Sequence, residues 1–355
     1  MRRVLVIDPI GGVALENLDA GERLVLGEAP AGRVVRTAVW SASGRWAAWA
    51  LDTDEPDGLG ELRSRPEHAP EATVVASALS AFYLCPSPDG RSLSYLSPGP
   101  LGLELAVSAL DGAGLRIVER GQPLYWSWAP DSTQLAVHVG ERVFITALDG
   151  DEATPVCEPA GAFLAPWWMP DGSLVYAEAG RLVARGPDGA VTPLPVRAPG
   201  GRFALDADGR RLAAVELDAG EAHLVITDLL TGERAVAARE PTAGFFWSPD
   251  GRRLAALVLE SPTRLQWLVA DGADVVRLAP FRPNPAWVRE VLPFFEQYSQ
   301  SHSVWSPDGS ELVAPALDAD GFAVALVQPV AGHGAAPPIP GARFAWWAGA
   351  VQPGV

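Results

Sequence analysis

The sequence contains no lysine, because all 27 of its Lys and Arg residues are arginine. A Walker A phosphate loop, a pyridoxal Schiff base and the ATP-binding strand of a protein kinase each require a lysine side chain. The sequence therefore excludes these three kinds of site. Acidic residues outnumber basic ones by 43 to 27, which gives a net charge of −16. Because phosphate-backbone binding relies on clustered Lys and Arg, we do not expect this acidic protein to bind nucleic acid.

Cysteine is also scarce. Only Cys85 and Cys157 are present, and two cysteines do not make a disulfide framework. Both are expected to behave as small buried apolar residues. No CxxC motif and no His/Cys cluster at metal-ligand spacing occurs in the sequence. We therefore predict neither a metal site nor a cofactor.

Long apolar runs are missing too. No stretch approaches the roughly 18 consecutive apolar residues of a membrane-spanning helix. The apolar residues that follow Arg2 and Arg3 extend only over positions 4–7, which is too short for the apolar region of a signal peptide. We therefore expect a cytoplasmic protein that does not insert into a membrane.

Turn-forming residues are abundant, with 36 Gly and 33 Pro, and many of them belong to a repeat. Trp-Ser-Pro-Asp-Gly stands in full at positions 247–251 and 305–309. Degraded copies are anchored on the Asp position or its equivalent at Ser43, Asp89, Asp131, Asp171 and Asp208. The intervals are 37 to 46 residues, apart from a last interval of 58. A repeat of about 40 to 45 residues built from short strands predicts a β-propeller.

The copy at 247–251 shows how one repeat builds one blade. Residues 242–247 form an apolar strand, and Ser-Pro-Asp-Gly supplies a tight turn, since Pro presets φ, Asp bonds its own backbone and Gly accepts positive φ. Three more apolar segments follow at 254–259, 265–270 and 275–278. The repeat therefore predicts four antiparallel strands, with its Trp wedged between neighbouring blades.

The two ends of the sequence complete each other. The N-terminal part supplies three strands without a preceding Trp turn, and residues 344–347 resemble a lone first strand. Pairing 344–347 with the strand at 4–7 closes a ring and removes exposed sheet edges. We predict an all-β fold, one propeller domain over residues 1–355 with eight blades. A seven-bladed ring with one degenerate repeat is the alternative.

The pattern Trp-Ser-Pro-Asp-Gly-x-x-Leu, which ends at Leu254 and Leu312, resembles the WD40-like repeats of the TolB-like propeller family. The same repeats occur in the propeller domains of prolyl oligopeptidases. The resemblance covers nearly the whole chain, and it implies a propeller that binds partners through its channel and faces. A serine hydrolase of the oligopeptidase kind needs a GxSxG nucleophile elbow, and the sequence has none. We therefore predict no catalytic residues.

The long interval before Trp305 contains an insertion at 281–303, which we place between two blades. Its aromatic and polar side chains are of the kind found at recognition surfaces, and long loops on rigid scaffolds tend to carry function. The predicted partner-binding residues are Trp287, Phe294, Phe295, Glu296, Gln297, Tyr298 and His302. The alternative interpretation is that the insertion plugs the channel and buries Phe294 and Phe295, and the two interpretations are compatible.

Two functions follow as expectations. The first is a non-catalytic scaffold that binds a protein or peptide on the face with residues 281–302. The alternative is a propeller enzyme of the hydrolase or lactonase type, which acts on a small molecule or glycan at the channel mouth with Glu296 and His302 as its acid/base pair.

Overall fold

The structure is a computed structural model, which describes residues 2–8, 10–41, 43–53, 60–77, 80–150, 152–196, 199–218, 220–272, 274–331 and 336–349. Its 32 strands form eight four-stranded antiparallel sheets, the blades of a β-propeller. The predicted fold class and the prediction of eight blades are thus confirmed. Helix is confined to one short region within the described ranges.

The strands are, in chain order, β1 Arg3–Asp8, β2 Gly12–Asn17, β3 Glu22–Gly27, β4 Arg33–Trp40, β5 Trp46–Thr53, β6 Glu61–Pro66, β7 Thr73–Ser77, β8 Phe82–Pro86, β9 Ser92–Gly99, β10 Gly102–Ala109, β11 Leu115–Gly121, β12 Leu124–Trp128, β13 Gln134–Val139, β14 Arg142–Ala147, β15 Ala153–Cys157, β16 Trp167–Trp168, β17 Leu174–Glu178, β18 Arg181–Arg185, β19 Val191–Pro193, β20 Pro199–Leu205, β21 Arg211–Asp218, β22 Glu221–Asp228, β23 Arg234–Ala238, β24 Thr242–Trp247, β25 Leu254–Ser261, β26 Arg264–Asp271, β27 Asp274–Arg277, β28 Arg282–Pro283, β29 Glu311–Leu317, β30 Ala323–Pro329, β31 Ile339–Pro340 and β32 Phe344–Trp347. The helices are α1 Pro285–Glu290, a 3-10 helix Leu292–Phe294 and α2 Phe295–Tyr298. None of the helices in the described ranges has the length and apolar character to cross a membrane.

The chain divides into two compact units of four blades each. The first unit contains the chain up to Gly121, Arg282–Arg289 and the part from Ser301 onwards. Its blades are β28–β31, β32 with β1–β3, β4–β7 and β8–β11. The second unit contains Gln122–Phe281 and Glu290–Gln300, and its blades are β12–β15, β16–β19, β20–β23 and β24–β27. We call the strands of a blade first to fourth, starting from the one at the tryptophan motif.

The terminal strands pair as predicted. β32 is the first strand of its blade and lies antiparallel to β1, with Ile7 opposite Phe344 and Val4 opposite Trp347. Every residue from Val4 to Ile7 is fully buried. Because β1 is covered on both faces and paired on both edges, the burial of each of its large apolar side chains stabilises the fold by roughly 1.5–3 kcal/mol. This pairing leaves no open edge on β1, while β32, as the first strand, forms the edge of the sheet.

The repeated motif is turn chemistry. The Ser248 hydroxyl donates to the Asp250 carboxylate over 2.6 Å and accepts the Arg253 N–H at 2.8 Å. The same Asp250 oxygen accepts the Arg252 N–H at 3.0 Å. The motif tryptophan meets the neighbouring blade, since the Trp247 indole N–H donates to the Ala204 carbonyl at 3.1 Å. One short sequence therefore fixes both the turn within a blade and a contact between blades.

Candidate functional site

The insertion interrupts the first strand of the blade β28–β31. At one end Arg282 pairs with Leu317, the last residue of β29. At the other end Trp305 forms a bridge with Leu312, near the start of β29. The first strand is therefore present as two short pieces, and the helices lie between them. The extra residues follow β28, which pairs with β29, and they precede Trp305, which also pairs with β29. The insertion therefore lies within one blade.

In the second unit, helix α2 contacts the first strands through consecutive side chains. Phe295 is fully buried and packs on Phe245 of β24, with ring centroids 4.6 Å apart. The guanidinium of Arg202 lies over the same Phe295 ring at 4.8 Å from its centroid. Arg202 also donates to the carbonyls of Thr242 and Ala243 at 2.9 and 3.0 Å. These contacts join β20, β24 and α2.

Gln297 binds the backbone of the first strand β12. Its side-chain oxygen accepts the Trp126 N–H at 2.8 Å, and its amide nitrogen donates to the Trp126 carbonyl at 2.6 Å. Gln300 donates to the carbonyl of Pro166, just before β16, at 3.1 Å. A first strand presents unpaired backbone groups on its free edge, and buried groups of this kind need partners. The insertion supplies those partners.

Glu296 is buried and serves the same purpose on β20. Its carboxylate accepts the Phe203 N–H at 3.2 Å. Burial raises the pKa of Glu296 to about 8, although this hydrogen bond and the charge of Arg202 act to lower it. Burial, together with the nearby charge of Glu296, also raises the pKa of Tyr125. The Glu296 carboxyl is therefore largely protonated at neutral pH.

In the first unit, the segment from Ser301 to Trp305 contacts first strands in the same way. The Ser301 hydroxyl lies 3.3 Å from the Tyr83 hydroxyl of β8 and 2.7 Å from Nδ1 of His302. The His302 ring meets the Trp346 ring of β32 edge-on, with centroids 4.8 Å apart. Burial lowers the pKa of His302 to about 3, although a hydrogen bond with the backbone of Ala38 in β4 opposes this shift. His302 is therefore neutral at physiological pH.

The seven predicted site residues are thus placed very unevenly with respect to solvent. Phe294 is 46% exposed, while the other six are buried: Trp287, Phe295, Glu296, Gln297, Tyr298 and His302. Glu296 belongs to the second unit and His302 to the first, and each is engaged by partners within its own unit. Phe295 is buried against Phe245 within the second unit, while Phe294 is exposed and can contact a partner.

Exposed apolar residues elsewhere were missed by the sequence reasoning. In the first unit, Ile10, Leu101 and Phe322 are 87%, 78% and 70% exposed. Each lies in the connection between the second and third strands of its blade. Leu217 and Leu259 are exposed near the corresponding connections in the second unit. For the three residues of the first unit, the sequence signal is a single apolar residue beside Gly in a tight turn, as in Ile10-Gly11.

The insertion begins at this end of its own blade. In the first unit, Arg282 pairs with Leu317, immediately before the connection that carries Phe322. In the second unit, a Cβ on Gly244 would meet the Phe295 ring at 3.3 Å. Gly244 pairs with Leu257 in the middle of β25, two residues before Leu259. Within the described residues, no group of three or more His, Cys, Asp and Glu is arranged to hold a metal ion.

Comparison with known proteins identifies the fold. No protein-family model matches the sequence, and no curated protein matches it either. Among solved structures, dihydro-heme d1 dehydrogenase NirN is similar with a TM-score of 0.63 and 16% identity, over 98% of this chain and 75% of that one. A prolyl endopeptidase is similar with a TM-score of 0.59 and 12% identity, over 89% of this chain and 50% of that one. TolB from Acinetobacter baumannii is 14% identical over 76% of each chain, with a TM-score of 0.47. The likenesses to dihydro-heme d1 dehydrogenase NirN and to the prolyl endopeptidase support the propeller scaffold and do not separate binding proteins from enzymes.

Proposed function

We propose that this protein is a non-catalytic, TolB-like propeller that binds a protein or peptide partner on the face carrying residues 281–302. One observation carries the proposal. The polar and titratable side chains of the insertion contact first strands, while Phe294 and several apolar residues in connections between second and third strands are exposed. Exposed apolar residues on a rigid scaffold are typical of protein interaction sites.

The contacts of Glu296 and His302 argue against a role in acid/base chemistry. Glu296 accepts a backbone N–H of β20, and His302 is packed between Ser301 and Trp346. A general base must reach the proton that it removes, and both side chains are nearly inaccessible to solvent. A buried neutral imidazole and a buried protonated carboxyl are better explained as parts of the core.

An enzyme remains the second candidate because of one observation. The pKa of Glu296 lies at about 8, close to the working pH that suits a general acid or base. If this carboxyl were catalytic, Glu296→Gln would abolish turnover in an esterase, lactonase or glycosidase screen that the unaltered protein passes. Absence of turnover by the unaltered protein would leave the scaffold proposal in place.

The direct test uses Phe294, because deleting the insertion would remove partners from the first strands and unfold the protein. A photo-cross-linking amino acid is placed at Phe294 and, in a control variant, at the exposed Leu230 of the β22–β23 connection. That connection joins a third strand to a fourth and lies at the other end of its blade. We expect a discrete cross-linked protein in cells for position 294 and none for position 230. Equal labelling at both positions, or none at 294, would contradict the placement of the site.

A further inference from the structure

Three of the four blades in the first unit each present one exposed apolar side chain at the same end. Ile10 follows β1, Leu101 separates β9 from β10, and Phe322 precedes β30. β1, β9 and β29 are the second strands of their blades, so all three residues occupy equivalent second-to-third connections. We call these three side chains and their turns the apolar turn surface. Their equivalence makes this surface a property of the face and not of a single loop.

The turns hold these side chains in fixed positions. The Asp8 carboxylate accepts the Ile10 N–H at 3.0 Å. In the same way, the Asp318 carboxylate accepts the Phe322 N–H at 2.8 Å. Since the backbone is already ordered, a partner that contacts Ile10 or Phe322 loses little further conformational entropy. Preorganised apolar side chains of this kind are suited to act as binding anchors.

The turn of Leu101 is equally constrained. Gly99 and Gly102 pair with each other at its base, and Gly102 has a φ of 119°. A Cβ added to Gly99 would lie 2.4 Å from the Glu104 side chain, so that side chain packs directly over the turn. Glu104 is itself held by Arg120 at 2.8 Å. Leu101 is therefore also presented on an ordered turn.

The charge around the apolar turn surface is mainly acidic. Asp8, Asp318 and the exposed Asp320 flank Ile10 and Phe322, and in the described part of the chain none of the three is in an ion pair. The Asp8 carboxylate accepts the Ile10 N–H, and the Asp318 carboxylate accepts the N–H groups of Asp320 and Phe322. Two arginines also lie at this end of their blades, Arg282 in β28 and Arg343 just before β32, so that the three carboxylates outnumber the cations by one. Net negative charge beside apolar anchors favours a partner with positive charge beside apolar side chains.

We propose that the apolar turn surface binds a basic amphipathic segment of a partner protein. Its apolar side chains contact Ile10, Leu101 and Phe322, and its Lys or Arg side chains face Asp8 and Asp320. The inference rests on the proposed scaffold function and adds the chemistry of the partner. A second copy of this chain fits less well because it carries the same charge of −16. An anionic membrane surface is disfavoured for the same reason.

The test measures binding of a synthetic amphipathic helix of leucine and lysine to the full chain by isothermal titration calorimetry. A peptide with glutamate in place of lysine is the matched probe. We compare the unaltered protein with the double variant Ile10→Ser, Phe322→Ser, with Asp320→Asn, and with Leu230→Ser. Leu230 is 81% exposed and lies at the opposite end of its blade, so its substitution controls for loss of any exposed apolar side chain.

We expect the leucine–lysine peptide to bind the double variant at least about tenfold more weakly. Asp320→Asn should weaken binding about threefold and reduce its salt dependence, because one exposed charge is removed and the turn keeps its hydrogen bonds. Leu230→Ser should bind as the unaltered protein does. The leucine–glutamate peptide should bind the unaltered protein more weakly than the lysine peptide does.

Several results would overturn the inference. These are equal binding by the double variant, equal binding of the glutamate peptide, or a dimer in gel filtration that only the double variant dissociates. Binding to vesicles of phosphatidylglycerol that the double variant loses would assign the surface to lipid instead. Cross-links at position 294 without peptide binding would retain the scaffold and reject this partner. Peptide binding lost in the double variant, without cross-links at 294, would retain this surface and reject the placement at 281–302.

Discussion

Glu296→Gln should remove a pH dependence from the stability of this protein. The substitution keeps the side-chain shape and an oxygen that can accept the Phe203 N–H, but glutamine cannot ionise. In the unaltered protein the carboxyl is surrounded by the backbone of β20 and the Phe295 helix, with Arg202 and Tyr125 as the charged and titratable neighbours. The desolvated site therefore favours a neutral side chain at position 296.

The magnitude follows from the pKa of Glu296, which rises from an ordinary value of 4.5 to about 8 on folding. One pKa unit is about 1.36 kcal/mol, so ionisation costs the folded state about 4–5 kcal/mol more than the unfolded state. Because the folded state holds this proton more tightly, the free energy of unfolding falls as pH rises from 4.5 to 8 and then levels off. Glu296→Gln should match the unaltered protein near pH 5 and exceed its stability by about 4 kcal/mol at pH 9.

The assay is chemical denaturation of both proteins at intervals from pH 5 to 9. Burial lowers the pKa of His138 and His302, so both histidines lower the free energy of unfolding as pH falls below 6.5. They are identical in both proteins and cancel in the difference. The exposed Glu152 provides the control Glu152→Gln, which should show no pH-dependent difference. A difference for Glu296→Gln that stays constant from pH 5 to 9 would refute the reasoning.

Five further substitutions test the remaining contacts by their effect on the free energy of unfolding. Gln297→Ala leaves the Trp126 N–H and carbonyl without this hydrogen-bond partner and should cost about 2–4 kcal/mol. Gln300→Ala removes a longer hydrogen bond and should cost about 1 kcal/mol. Equal losses would contradict the bidentate role of Gln297. Trp305→Ala should cost about 3–5 kcal/mol as a large-to-small core change. The loss should be smaller for Trp247→Ala, because Trp305 is buried and Trp247 is half-buried. A larger loss for Trp247→Ala would contradict the assignment of these tryptophans as wedges between blades. Ser248→Ala should cost about 1–3 kcal/mol in thermal denaturation, since it removes both turn hydrogen bonds, and an unchanged midpoint would show that the motif serine is dispensable.

The fold was predictable because its signals are local. A turn made by Ser248 and Asp250 is encoded within four residues, so counting such turns counts blades. The pairing of Val4 with Trp347 was also predictable, because an incomplete first blade and a spare last strand need each other.

The role of the insertion was only partly predictable. The late repeat indicated that an insertion precedes Trp305, but its aromatic residues were expected on a recognition surface. Phe295 and Gln297 are instead buried because the free edges of distant first strands need packing and hydrogen-bond partners, and no local pattern reports such a need. Ile10 and Phe322 escaped notice for the opposite reason, since a single apolar residue in a turn carries no periodic signal.

The contacts of residues 295–305 also bear on how the chain folds. In a simple repeat array each unit touches only its sequence neighbours, so that stability is nearly a sum of local terms and folding can begin anywhere. Here one late segment contacts the first strands of all four blades in the second unit and of three blades in the first unit. The blades that are synthesised first complete their contacts only after residues far along the chain have been made. Such long-range contacts raise the contact order and slow folding. Because the first strands of a unit contact one common segment, we expect the blades of that unit to unfold cooperatively and not one at a time.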